Sequence, residues 1–424
     1  MKKKLMALAL SAAMVLSLVA CGEAKPASST EAPKAEASTE APKEDVAPAG
    51  GTITLWVAEA VVDYTKEKCD AFFAANPDYA GYEVVVEPVG EGDAAGNMIT
   101  DVDGGADIFG FAQDQLSRLV SAGAVMPISG DYAAWIESSN AAGAVSGAMA
   151  GDTIYAFPMT ADNGYFLYYD KSVVTDTTTL EGILDQCVAA GKNFYFDLGS
   201  WYSSAFFFGA GCECYYDTDA DGNFTAAHCD YASENGVAAL KALINMVESP
   251  AFQAGSSVSN AVDWAAIVDG TWDSSAAKDV LGDNLACVKL PTFTVDGKTY
   301  QMGGFNGMKL LGVKPQTDAT KLQACLALAQ FLTDEAAQLE RFNNFGWGPS
   351  NIAAQGDSAV QADPALAALA AQFAYTIPQG QYPGDFWSTG LDGDLTSGAL
   401  NSSMSDAELM DYLTNLQTLL DNAR

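Results

Sequence analysis

From Thr52 onward two apolar patterns take turns along the chain: short continuous or alternating apolar runs, and longer segments where apolar residues return every third or fourth position. The first reads as strand and the second as amphipathic helix. Thr52–Val57 is a strand, 60–76 a helix closed by Asn76-Pro77, and 82–88, with its alternation, a second strand. Strand, helix, strand at this length is a βαβ unit, which implies a parallel sheet and a right-handed crossover. Helical spacing at 98–103 leads into Asp107-Ile108-Phe109-Gly110-Phe111, a strand covered on both faces. Leu116, Leu119 and Val120 then recur at helical spacing until Gly123 stops the helix. A strand that brings an aromatic and a carboxylate, Phe111 and Asp114, to its C-terminal edge is how open α/β sheets build a ligand crevice.

The alternation continues through the second half. Two aromatic strands, 153–159 and 165–171, flank the polar turn Thr160–Gly164. A helix over 177–192 and a strand over 194–198 precede Gly199-Ser200-Trp201-Tyr202 and an apolar helix through Phe208. Strands at 212–216 and 224–229 read as a hairpin around Asp217-Thr218-Asp219-Ala220-Asp221-Gly222. D-x-D-x-D-G opens like an EF-hand loop, but His228 stands where the closing Glu belongs, and an Asp-Gly hairpin turn is the simpler reading. Helices are predicted over 236–247, 261–269, 321–333 and 335–345, with strands over 285–291 and 304–313. Gly346-Trp347-Gly348-Pro349 marks a bend, and the helical end is interrupted at Ile377-Pro378 and Asp385-Phe386-Trp387. The fold class is α/β.

Composition changes the picture mainly at the N-terminus. Lys2-Lys3-Lys4 is a positive start, and 5–20 is apolar but too short for a comfortable membrane span. Leu18-Val19-Ala20-Cys21-Gly22 resembles a bacterial lipoprotein signal, which implies that 1–21 is a signal peptide and that lipidated Cys21 anchors the protein to a membrane; ordinary signal cleavage is the alternative. Residues 22–50, rich in Ala, Pro, Ser, Thr, Glu and Lys with STEAP written twice, have too little apolar surface for a core and read as a disordered tether. The net charge of −34, with only 20 basic residues, argues against nucleic acid and against a strongly anionic ligand.

The order of segments resembles a known family. "D-I-F-x-F-A-x-D, helix, small-Gly-x-hydrophobic-x-x-Ile", the aromatic pair ending Tyr169-Asp170-Lys171, Gly199–Tyr202, Ile267–Trp272, Gly304–Val313 and the final Phe386-Trp387 are similar to the sugar-binding proteins of bacterial ABC importers, nearest the maltose/maltodextrin-binding branch. The resemblance implies a two-lobed periplasmic-binding-protein-like fold. Each lobe would be a mostly parallel sheet flanked by helices, with three crossings between lobes: residues 51–161 with 307–347 in one, 162–306 with 348–424 in the other. It implies a monomer that captures an oligosaccharide, an α-glucan such as maltooligosaccharide, by hinge closure and hands it to a permease, with no cofactor and no metal. Another oligosaccharide, or a sensor or adhesin role on the same fold, is the alternative.

On that resemblance Tyr202, Trp272 and Trp387 are sugar platforms, and either Asp162 or Asn163 supplies the polar contact of the first crossing. Phe111 would add an aromatic face and Asp114 an acceptor; Trp56 and Glu59, at the end of the first strand, are further candidates. Such residues suit a sugar because aromatic rings cover its C–H faces while carboxylates and amides bind its hydroxyl rim. Ser200 and Trp201 stand where the family has an acid and then Pro, and Thr271 stands where it has Pro.

Beyond Cys21, seven cysteines remain, an odd number that precludes full pairing; Cys229 can reach Cys212 or Cys214 across the hairpin. C-x-C with His228-Cys229 is not a usual zinc spacing. His228 is the single histidine and lies away from the cleft segments, which disfavours a Ser-His-Asp or Cys-His hydrolase. A glycosidase needs only two carboxylates and is the enzyme alternative to a non-catalytic binding protein.

Overall fold

The computed structural model describes residues 50–219, 224–380 and 382–423. The expected signal peptide with Cys21, nearly all of the expected tether, and residues 220–223 of the expected Asp-Gly turn lie outside the described residues.

Two five-stranded sheets organise the chain. In the first, the strands run in the order Gly81–Pro88, Gly50–Val57, Ile108–Ala112, Lys309–Val313, Ala156–Pro158. In the second the order is Phe252–Ala254, Asn193–Phe196, Trp264–Asp269, Phe166–Asp170, Leu285–Val288. Each sheet is parallel but for one strand: Lys309–Val313 runs against both its neighbours in the first, and Phe166–Asp170 does so in the second. These are the two strands on which the chain enters a sheet from the other one, so each arrives from the side where its parallel neighbours end. The result is the two-lobed α/β fold expected from the sequence, mostly parallel in each lobe.

The expected strand and helix boundaries shift by a few residues, and one element changes type. Residues 261–269, read from sequence as helix, contain the strand Trp264–Asp269, and every residue of that strand is buried. A strand covered on both faces has no polar alternation to betray it, and a short apolar run of this length fits either element. The helix expected near 98–103 begins earlier, at Glu91, and ends at Thr100.

Between the sheets the chain crosses near 160–164, 305–308 and 346–349. Ala161 N–H donates to the Gly348 carbonyl at 3.0 Å, and Asn163 N–H to that of Gly307 at 3.1 Å, so the first crossing is bonded to both others. Ser350 and Asn351 then fasten to Gln338 and Asn140 beside the first sheet.

The hairpin strands Cys214–Thr218 and Phe224–Cys229 pair antiparallel and carry a Cys214–Cys229 disulfide, their Cα atoms 4.4 Å apart. Cys212 stays a free, buried thiol near Ser233, and burial pushes its pKa up to about 12. His228 pairs instead with Asp217, at 2.9 Å on the hairpin surface. No described helix is long and apolar enough to cross a membrane.

Candidate binding cleft

Parallel sheets leave a crevice beyond the carboxyl ends of their strands, and here both sheets turn those ends toward one cavity of about 710 Å³. From the first sheet, Gly50–Val57 ends into Ala58 and Ala60, and Ile108–Ala112 into Asp114 and Gln115. Gly81–Pro88 leads to Glu91 at the start of its helix. From the second, Asn193–Phe196 ends into Asp197 and the first turn of the helix Ser200–Ala210, while Trp264–Asp269 ends into Trp272 and Asp273. The antiparallel strand Lys309–Val313 reaches the same place from its opposite end and delivers Lys309.

The structure brings five of the sequence-predicted residues to this cavity: Asp114, Asn163, Tyr202, Trp272 and Trp387. Tyr202 stacks on Tyr165 at 4.8 Å between ring centroids and meets Trp201 edge-on at 5.0 Å. Trp272 lies over Gly270, where a Cβ would sit 2.1 Å from the indole, so only glycine accommodates the ring in this position. Trp387 is braced by Phe305, Tyr382 and Phe386, with centroids 5.0–5.8 Å away. Ser200, one of the departures from the family pattern, donates its hydroxyl to the Trp387 carbonyl at 3.1 Å and so ties this segment to the helix Ser200–Ala210.

Of the two candidates on the first crossing, Asn163 lines the cavity and Asp162 does not. Asn163 Nδ2 donates to Gln379 Oε1 at 2.7 Å, and Gln379 Nε2 donates to Asp114 Oδ1 at 2.9 Å. Gln115 donates to the other Asp114 oxygen and accepts from Arg118 at 2.7 Å. Asp114 is buried, and loss of hydration raises its pKa from 3.8 to about 7, against the lowering effect of the Gln115 hydrogen bond. Asp162 is a clamp: its Oδ2 accepts from the Thr271 hydroxyl and from the Gly348 N–H.

Three candidates lie elsewhere. Phe111 is fully buried against Phe109 in the core. Two-residue periodicity puts both rings on one face of their strand, under the helix Leu116–Ser121. Trp56 packs at the edge of that same core and donates its indole N–H to Glu87 at 2.8 Å. Glu59 is exposed, while its neighbours Ala58 and Ala60 line the cavity.

The lining also includes residues not anticipated as contacts: Trp201, Trp347, Lys309, Gln379, Asp197, Asp273 and Glu91. An aromatic beside a glycine-marked bend was the visible signal for Trp347, and an aromatic opening a helix was the signal for Trp201. Beneath Trp272, Asp269 is fully buried, and burial with the neighbouring Asp273 charge raises its carboxyl well above the usual range. The cavity thus offers several aromatic rings, a ring of carboxylates and one ammonium. Among the described residues there is no cluster of His, Cys, Asp and Glu suited to a metal ion.

Residues 63–368 match the family described as bacterial extracellular solute-binding protein. No curated protein sequence is significantly similar. Among solved structures, the maltodextrin binding protein MalE1 from L. casei BL23, without ligand, is 26% identical; the match covers 88% of this chain and all of that one, with a TM-score of 0.72. Another, described as being with acarbose, is also 26% identical, covering 88% of this chain and 99% of that one at a TM-score of 0.76. MalX from Streptococcus pneumoniae in complex with maltopentaose, 19% identical at a TM-score of 0.68 over 86% of this chain and 99% of its own, shares the fold. The chain belongs to the bacterial extracellular solute-binding proteins.

Proposed function

We propose that this protein captures an oligosaccharide, an α-glucan such as maltooligosaccharide, for an ABC importer. The lobes, 51–161 with 307–347 and 162–306 with 348–424, close on the sugar about the three crossings, and the closed form is what a permease receives. Cys21 carries the lipid anchor and 22–50 the tether that holds a monomer outside the membrane. No catalytic step is proposed.

The observation that carries this reading is the makeup of the cavity. Trp201, Tyr202, Trp272 and Trp387 come together with Asp114, Asp197 and Asp273 at the ends of strands from both sheets. Aromatic faces for C–H surfaces and carboxylates for hydroxyls suit a neutral sugar, and the volume of about 710 Å³ suits a short oligosaccharide. The relatives' own ligands, maltodextrin and acarbose, support the α-glucan class. Calorimetric titration with maltotriose, with xylo- and cello-oligosaccharides as controls, tests it. Micromolar or tighter binding to maltotriose alone, with no hydrolysis products, is expected; heat only from a control sugar would replace the ligand class.

Asp114 should leave a signature in stability. Its folded-state pKa of about 7 exceeds the 3.8 of the free side chain, so between those values the folded protein holds the proton more often than the unfolded chain. Its contribution is therefore full below about pH 4 and is lost as pH rises through 7. In urea unfolding at about pH 5 and about pH 8, wild-type protein should lose more stability across the interval than Asp114→Asn. Equal losses would mean that Asp114 titrates normally.

A further inference from the structure

The amides of the cavity spend hydrogens on one another and on a carboxylate. The Asn163 amide donates to Gln379, and the Gln379 and Gln115 amides both donate to Asp114. Glu91, Asp114, Asp197 and Asp273 are carboxylates, which accept only while ionised. A sugar hydroxyl donates one hydrogen but also accepts, so a cleft of carboxylates alone would leave its lone pairs unmet. Among the described residues of the lining, the Trp201 and Trp387 indole N–H groups have no hydrogen-bond partner, and Lys309, the one cationic side chain there, has none for its ammonium.

Lys309 is placed with care. It is the first residue of its strand, and its backbone is held on both sides. Its carbonyl accepts from Met159 N–H at 2.9 Å, and its N–H donates to the Thr160 hydroxyl at 3.3 Å. The residue is only 8% exposed. Its Nζ lies 4.2 Å from the ring centroid of Trp347 and 5.0 Å from that of Trp272, so two indoles hold the charge. Among the described residues no carboxylate pairs with it and no oxygen accepts its hydrogens. Indole faces position the ammonium without accepting its hydrogens, so its N–H donors stay available toward the cavity. A ligand in the cavity can supply the acceptors that the protein does not.

We infer that Lys309 is the specificity-determining donor of the cleft, completed by the oxygens of a hydroxyl-rich neutral sugar. One hydroxyl can donate to a cavity carboxylate while accepting from the ammonium, and each bond strengthens the other. The same charge repels an amine-bearing sugar from this position, and the surrounding carboxylates disfavour an acidic one. The inference rests on the sugar-binding reading and adds to it the residue that meets the acceptor side of the ligand.

Lys309→Met tests it, because methionine keeps an unbranched apolar stem between the two indoles and removes the donors. Titration with maltotetraose should show affinity lowered by about tenfold or more. The melting temperature of the ligand-free variant should equal or exceed that of wild type, since the ammonium makes no hydrogen bond or ion pair within the described protein to lose and the apolar stem is kept. Lys309→Arg, which keeps charge and donors, should retain more affinity than the methionine variant. Unchanged affinity in Lys309→Met would overturn the inference and leave the sugar-binding reading standing. A fall in the ligand-free melting temperature would make the lysine a packing element and overturn it as well. Wild-type protein that does not bind maltotetraose would remove the α-glucan reading and this inference together.

Discussion

Asp162→Ala should unfold about 3–5 kcal/mol more easily than wild type in urea, a loss of the size seen when one partner is taken from a buried charged network. The side chain is only 2% exposed and joins three parts of the chain. It sits on the first crossing, accepts the Gly348 N–H of the third, and accepts the Thr271 hydroxyl at the end of a strand of the second sheet. Alanine leaves both donors buried without an acceptor. It also removes a counter-charge felt by Arg341, a buried guanidinium whose Nε and Nη2 have no hydrogen-bond partner among the described residues. Burial already lowers the Arg341 pKa, so the protein depends on nearby carboxylates, Asp162 and Asp334 among them, to keep that charge tolerable. Asp162→Asn, which preserves the shape and can still accept, should lose less. A variant within about 1 kcal/mol of wild type would mean that the crossings are held by their backbone bonds alone.

The largest effect on binding is expected from Trp387→Ala. This indole forms part of the cavity wall, and its surroundings are rigid: three aromatic rings within 5.8 Å and a hydrogen bond from Ser200 to its carbonyl. A platform held in place before the sugar arrives costs little entropy on binding, which is the condition under which a single aromatic residue dominates an interface. Truncation should cost about 2 kcal/mol or more, roughly thirtyfold or more in Kd for maltotetraose. Trp387→Phe should cost less, because a smaller ring keeps part of the face. If Trp387→Ala and Trp272→Ala both bind as wild type does, the aromatic wall is not the sugar site.

Much of this was legible in the chain because local pattern and global architecture agree. The βαβ opening, the aromatic pair around Thr160–Gly164 and the helix Glu335–Phe345 each carry their period openly, and the predicted α/β fold follows from them. What was hidden is hidden for stated reasons. Trp264–Asp269 has no polar face, so nothing in its composition separates strand from helix. Phe111 looked like a site residue because it ends a central strand, yet the two-residue period sends it into the core with Phe109, and Ala112 lines the cavity in its place. Asp162 and Asn163 are neighbours in sequence with opposite duties, one clamping the crossings and the other facing the cavity. Lys309 escapes a rule that looks for site residues after parallel strands, because its strand runs the other way and presents its first residue.

A crystal structure of residues 50–424, grown with maltotetraose, addresses the central claim most directly. Glucose rings are expected over Trp387 and Trp272, with hydroxyls on Asp114 and Lys309, inside the cavity between the two sheets. Sugar bound on another face, or a cavity that stays empty while titration reports binding, would contradict it.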